Sequence, residues 1–259
     1  MTPGLLFAFT LEPPGKYRTR WRGHERRHAL KRPVVLVYHG LGEAADADDP
    51  ARLVTSPARL EAHVRLLQRL GYRFVTAGQA LDAAGGGEPP PATAVLTFDD
   101  GFRDWLTTGV PLLRSLGVPA TFYLCPGWLG GQHPEVAGER GRLLDEGEAR
   151  ALAAAGMELA SHSMAHADLR DLGDGPLLED LRASRAAVEG LTGTPCRTFA
   201  YPFGLFGPRE ERAAAEAGYE LAFGWRPGPW RAMAAPRLPA PPRHGALRLA
   251  LKLLGVRRG

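Results

Sequence analysis

The stretch A-V-L-T-F-D-D-G at residues 94–101 constrains this chain more than any other. Apolar Ala94, Val95 and Leu96 lead into Asp99 and Asp100, and Gly101 follows. Buried strands are apolar along their length and stop at turn residues. The pattern therefore predicts a buried strand whose carboxyl end carries two acids. Adjacent carboxylates out of water are costly unless a cation or a proton relieves their repulsion. A strand sends successive side chains to opposite faces, so the two acids can divide the work, one binding a metal and the other handling protons. The competing reading is a turn or N-cap pair opening the helix after Gly101.

The surrounding pattern says what such a strand belongs to. Residues 33–38 (P-V-V-L-V-Y) read as a second buried strand, ending in His39 and Gly40. A helix is expected from Pro57, with Leu60, His63, Val64, Leu67 and Leu70 on one face and Gly71 as its stop. Short strands are expected at 72–75, 119–124, 157–160, 198–200 and 221–223, and helices at 110–116, 145–155, 177–191 and 208–217. Strand alternating with helix implies parallel strands and crossover helices, in a wound sheet or barrel. Chemistry in such folds collects at the carboxyl ends of strands. His39, Asp99, Asp100, His162, His166 and Tyr201 all stand at such ends.

Length and composition fit one large domain. The chain has 259 residues, and 44% are hydrophobic, enough for a substantial core. The net charge of +4 is concentrated at the ends. Three regions are expected: a basic N-terminal extension over 1–32, a catalytic domain over 33–240 and a basic amphipathic tail over 241–259. Solvated ends are the plain reading of that charge, and contact with an anionic polymer or membrane surface the sharper one. The tail is read as a terminal helix packed on the body, with peripheral membrane contact as the alternative. Nothing points to nucleic acid. Cys125 and Cys196 form no C-x-x-C and suggest no disulfide framework. The acidic loop with Asp46, Asp48 and Asp49 matches no calcium-loop spacing and is read as solvated. As written, the chain shows no signal peptide or membrane span and reads as cytoplasmic; a misassigned start would make it exported or envelope-associated.

The second chemical signal is S-H-S-M-A-H at 161–166. If the segment turns helically, His162 and His166, four apart, share one face and can ligate one ion. Catalytic zinc sites take about three protein ligands and leave a position open for water. One acid of the Asp99–Asp100 pair completes that set.

T-F-D-D-G (97–101), S-H-S-M-A-H (161–166) and F-A-Y-P-F-G (199–204), in that order, resemble the motifs of the polysaccharide deacetylase (NodB-homology) family, over about residues 33–240. The resemblance implies a distorted (β/α) barrel and a metal-dependent hydrolase that removes acetyl groups from carbohydrate, most of all the N-acetyl of N-acetylglucosamine units. By position it makes Asp99 the general base and Asp100, His162 and His166 the metal ligands. Tyr201, Pro202 and Phe203 would line the groove. The ion expected is Zn2+, with Ni2+, Co2+ and Mn2+ as alternatives. Two departures stand out. Many members have Arg where this chain has Ala200, and the C-terminal Leu-x-His that supplies an acid in many members is absent; His244 lies too far along the tail. Tyr38-His39 instead resembles the permuted branch that acts on poly-N-acetylglucosamine, which implies His39 as the acid. Arg237, in A-P-R-L-P, also fits that branch, as a holder of the site's carboxylate or a groove residue. Trp128 and Trp225 are the groove candidates among the tryptophans; Phe102 and Trp105 are read as core. The alternatives are hydrolysis of another C–N or ester bond, or a non-catalytic carbohydrate-binding homologue.

Overall fold

The computed structural model describes residues 31–43, 48–240 and 245–253. Most of the basic N-terminal extension, Asp46, His244 and the terminal arginines lie outside them.

Among the described residues nine short strands form one sheet: β1 (Val34–Tyr38), β2 (Arg73–Val75), β3 (Thr93–Asp99), β4 (Thr121–Leu124), β5 (Glu158–Ser161), β6 (Thr198–Ala200), β7 (Leu221–Gly224), β8 (Ala235–Pro236) and β9 (Leu238–Pro239). The spatial order is β8-β7-β6-β5-β4-β3-β1-β9, with β2 also paired to β3, and each pairing is parallel. The two ends of that order, β8 and β9, are separated in the chain by Arg237 alone. One segment therefore pairs with β7 on one side and with β1 on the other. Continued across Arg237, the sheet is a nearly closed (β/α) barrel. The Arg237 N–H donates to the Gly224 carbonyl at 2.9 Å, and the Ala240 N–H to Val37 at 3.1 Å.

The helices are α1 (Pro57–Arg69), α2 (Ala77–Ala84), α3 (Val110–Leu116), α4 (Glu146–Ala154), α5 (Asp174–Thr192), α6 (Pro208–Glu216) and α7 (Ala246–Leu253). Their starts follow capping chemistry. Thr76 with Gln79 and Asp145 with Glu148 form capping boxes on α2 and α4. In α1, Leu60, His63, Val64 and Leu67 turn inward at the expected spacing. The tail forms α7, which packs on α1 and buries Leu249. Among the described residues no helix is long and apolar enough to cross a membrane.

β1 and β3 are buried at every position, as expected for parallel strands covered on both faces. Tyr38 stacks on Phe98 at 5.3 Å and Phe98 on Phe122 at 4.8 Å, with Trp105 against both phenylalanines. Burying such a ring contributes about 1.5–3 kcal/mol. Phe102 and Trp105 are fully buried, in keeping with a core role. The acidic loop differs from its reading as solvated: Asp49 is buried and accepts the N–H groups of Leu53 and Val54. Both cysteines are buried and free.

Candidate active site

Asp99 is the last residue of β3, and Asp100 lies just beyond it. Strand alternation predicts opposite faces for the two, and the structure corrects this. Asp100 has left the strand, with φ at +88°, in the region L-residues rarely adopt. The turn brings both carboxylates to the same imidazole. His162 Nε2 lies 3.7 Å from Asp99 Oδ2 and 3.6 Å from Asp100 Oδ1.

Asp99 is held by Arg237. Nη1 donates to Oδ1 and Nη2 to Oδ2, both at 2.7 Å. This is the bidentate fork that guanidinium and carboxylate geometry favour. Burial pushes the Asp99 carboxyl up, but the charge of Arg237 and its hydrogen bonds pull it down, leaving Asp99 below the ordinary carboxylate range. Position 200 is Ala, and the guanidinium beside Asp99 comes from the barrel seam. Arg237 is 4% exposed and committed to Asp99, so its groove assignment is corrected.

The histidine pair also differs from expectation. His162 and His166 do not sit on a helix. Ser163 and His166 both take positive φ, 67° and 53°, and the chain loops back on itself. The Ser163 hydroxyl accepts the His166 N–H at 3.0 Å, which holds the loop. His162 Nδ1 lies 2.6 Å from the Ala200 carbonyl. A carbonyl only accepts, so Nδ1 carries the proton and a neutral His162 presents a bare Nε2 lone pair. His166 Nε2 lies 3.4 Å from Asp100 Oδ1. Burial pushes the His166 imidazole down to about 4, which keeps it neutral near pH 7.

Asp100 Oδ1 is buried without a hydrogen-bond partner. Around it stand the His162 lone pair and the His166 ring, and one ligand atom from each of Asp100, His162 and His166 lies within 4.8 Å of the others. Lone pairs converging on a buried carboxylate oxygen leave a cation as the natural partner. Two imidazoles and a carboxylate are also the donor set of catalytic zinc sites. These residues fit a divalent ion.

His39, Trp128, Phe203 and Trp225 line a cleft of about 230 Å3 over this cluster, with Asp100, His162 and His166 in its floor. The His39 segment is pinned by the turn after Asp100. Trp105 Nε1 donates to the His39 carbonyl at 2.9 Å, and Asp104 Oδ2 accepts the Leu41 N–H at 2.9 Å. Trp225 meets His39 edge-on at 6.2 Å and presses on Gly204, where a Cβ would come within 2.5 Å of its ring. Phe203 is 44% exposed and packs on His166 at 4.4 Å. Tyr201 and Pro202 do not line the cleft. Both are buried, and Tyr201 stacks on Phe206 and donates its hydroxyl proton to the Met233 carbonyl.

Sequence reading missed His133. It is buried in the glycine-rich loop between β4 and α4, with Nε2 3.3 Å from Asp100 Oδ2. The only cue was a histidine inside a loop that follows a strand end.

The profile of the polysaccharide deacetylase family matches residues 86–222. The chain belongs to that family. It is 24% identical over 195 residues to the putative polysaccharide deacetylase YxkH of Bacillus subtilis, covering 75% of this chain and 64% of that protein. It is 30% identical over 97 residues to the poly-beta-1,6-N-acetyl-D-glucosamine N-deacetylase of Escherichia coli K12, covering 37% of this chain. The chain thus spans under two thirds of the Bacillus relative, and the match covers 14% of the Escherichia coli one. In fold it is similar to the Streptococcus pyogenes deacetylase PplD in complex with acetate, with a TM-score of 0.73, 19% identity, and coverage of 86% of this chain and 98% of that one. IcaB from Ammonifex degensii gives a TM-score of 0.72 at 22% identity, covering 86% of this chain and 97% of that one.

Proposed function

We propose that this chain is a metal-dependent carbohydrate deacetylase that hydrolyses the N-acetyl group of N-acetylglucosamine units. The observation that carries the reading is the orphaned Asp100 Oδ1, facing two imidazoles beside a second carboxylate held by Arg237. The naming of the Escherichia coli relative supports the sugar. Asp100, His162 and His166 would hold the ion, with zinc the expected metal. When bound, a divalent ion polarises an acyl carbonyl and acidifies water.

The chain's own residues do the rest. Asp99, ionised and fixed by Arg237, takes the proton of the attacking water as general base. Each Asp99 oxygen gives one lone pair to the guanidinium and keeps another for that proton. His39, on the cleft wall, gives a proton to the departing amine nitrogen. Trp128, Phe203 and Trp225 exclude water and offer faces to the sugar.

The test is hydrolysis of acetylated glucosamine oligomers with Asp99→Asn and His162→Ala, alongside metal analysis of the purified wild type. Acetate release by the wild type, lost in both variants, is expected. Release that persists in both overturns the reading.

A further inference from the structure

His133 is brought to Asp100 by a braced loop. Gln132 Nε2 donates to the carbonyls of Val136 at 3.1 Å and Gly138 at 2.8 Å, and the His133 N–H donates to Gly141 at 2.7 Å. A Cβ on Gly141 would lie 1.9 Å from the Val136 oxygen, so only glycine closes the loop this tightly. The His133 ring stacks on buried Phe102 at 4.8 Å and meets Trp128 edge-on at 5.5 Å. It is 4% exposed.

The ring's hydrogen bonds settle its tautomer. Nδ1 accepts the Glu135 N–H at 3.1 Å. A neutral imidazole carries one proton, and with the Nδ1 lone pair engaged that proton is on Nε2. His133 Nε2 is therefore a donor, aimed at Asp100 Oδ2 at 3.3 Å. His162 is the mirror case, with Nδ1–H on the Ala200 carbonyl and Nε2 bare. Two histidines thus present opposite ends of the imidazole's chemistry to one carboxylate.

We infer that His133 is a positioning residue: by donating Nε2–H to Asp100 Oδ2 it reserves Oδ1 as the single oxygen offered to the ion. The inference rests on the metal-binding reading of this site. Outer hydrogen-bond partners of metal ligands orient them, and losing one typically weakens metal affinity about 10–100-fold. His133 is not itself a ligand, because its Nε2 lone pair is taken by the proton.

The experiment is zinc titration of the full chain against a competing chelator, for wild type, His133→Phe and His133→Gln. Phenylalanine keeps the stacking on Phe102 and removes the donor; glutamine restores a donor amide. The expected result is about 10–100-fold weaker zinc binding in H133F, with most of the loss recovered in H133Q. Cobalt-loaded H133F should also show weaker visible absorption than cobalt-loaded wild type, as the freed second oxygen raises the coordination number. H133F with wild-type affinity and spectrum overturns the inference and leaves the deacetylase reading standing. Absence of zinc binding by the wild type overturns both. Should H133F fail to fold, nitrogen-15 NMR of the wild-type imidazoles decides: a His133 proton on Nε2 supports the role, and one on Nδ1 overturns it.

Discussion

Asp99 and Asp100 are neighbours in the chain but are held from the two flanks of β3. On one flank, beyond β1, the seam between β8 and β9 delivers Arg237, whose fork occupies Asp99. On the other, the loops after β4 and β5 deliver His133, His162 and His166 to Asp100. A guanidinium is a permanent cation that saturates a carboxylate's near lone pairs. Neutral imidazoles can leave one oxygen unsatisfied. The difference teaches how identical side chains can take the separate roles proposed above: a fixed charge suits Asp99 to an oriented proton acceptor, while partial satisfaction suits Asp100 to a ligand. A third acid sharpens the contrast. Asp104, in the turn that follows, has no cationic hydrogen-bond partner among the described residues, and burial pushes its carboxyl up to about 8.

The comparison can be broken at several points. The largest effect is expected at the imidazole flank. His162→Ala removes a proposed ligand, and an ion's electrostatic contribution is worth several kcal/mol; activity should fall about a thousandfold or more, at about 1.4 kcal/mol per tenfold. Steady-state assay with matched metal content checks it. At the seam, Arg237→Ala leaves Asp99 buried and unpaired, which costs about 3–5 kcal/mol of stability for a buried pair. Urea unfolding measures the loss. Arg237→Lys keeps the charge without the fork and should recover stability better than activity. Next comes His39→Ala, with kcat down by about 10²–10⁴-fold, the range for a general acid. Metal binding should be unchanged, since His39 lies outside the donor set.

The smallest effect is at Asp104. Its folded-state value lies above the unfolded one, so its contribution to stability is fully present below the unfolded value near 4. It is lost as pH rises through about 8. Asp104→Asn removes this dependence. Its stability relative to wild type should grow between about pH 4 and pH 8 and level off above. A pH-independent difference in unfolding free energy would remove Asp104 from the comparison.

Much of this was legible in the sequence, for local reasons. Apolar runs ending in polar residues mark parallel strands and their carboxyl ends, so the parallel strand–helix layout, Asp99, Asp100 and the His162–His166 pair could be read directly, while the barrel was implied by the resemblance of the three motifs. What failed was orientation. Strand alternation misplaced Asp100 because its positive φ begins one residue past Asp99. Helical spacing was the wrong reason for His162 and His166 to meet, because two left-handed residues do the work. Tyr201 looked like a groove residue, yet its hydroxyl finds a carbonyl on a segment far along the chain. The direction of Arg237 depends on a seam visible only once both sheet edges are placed. His133 lies in a loop without a period, set by glycine packing and backbone hydrogen bonds that leave little trace in the sequence.

The most direct test of the division between the two acids is calorimetric zinc titration of Asp99→Asn and Asp100→Asn, each paired with an acetate-release assay. The account predicts that D99N binds zinc but releases no acetate, and that D100N loses the ion itself. Zinc binding retained by D100N, or lost equally in both variants, would contradict it.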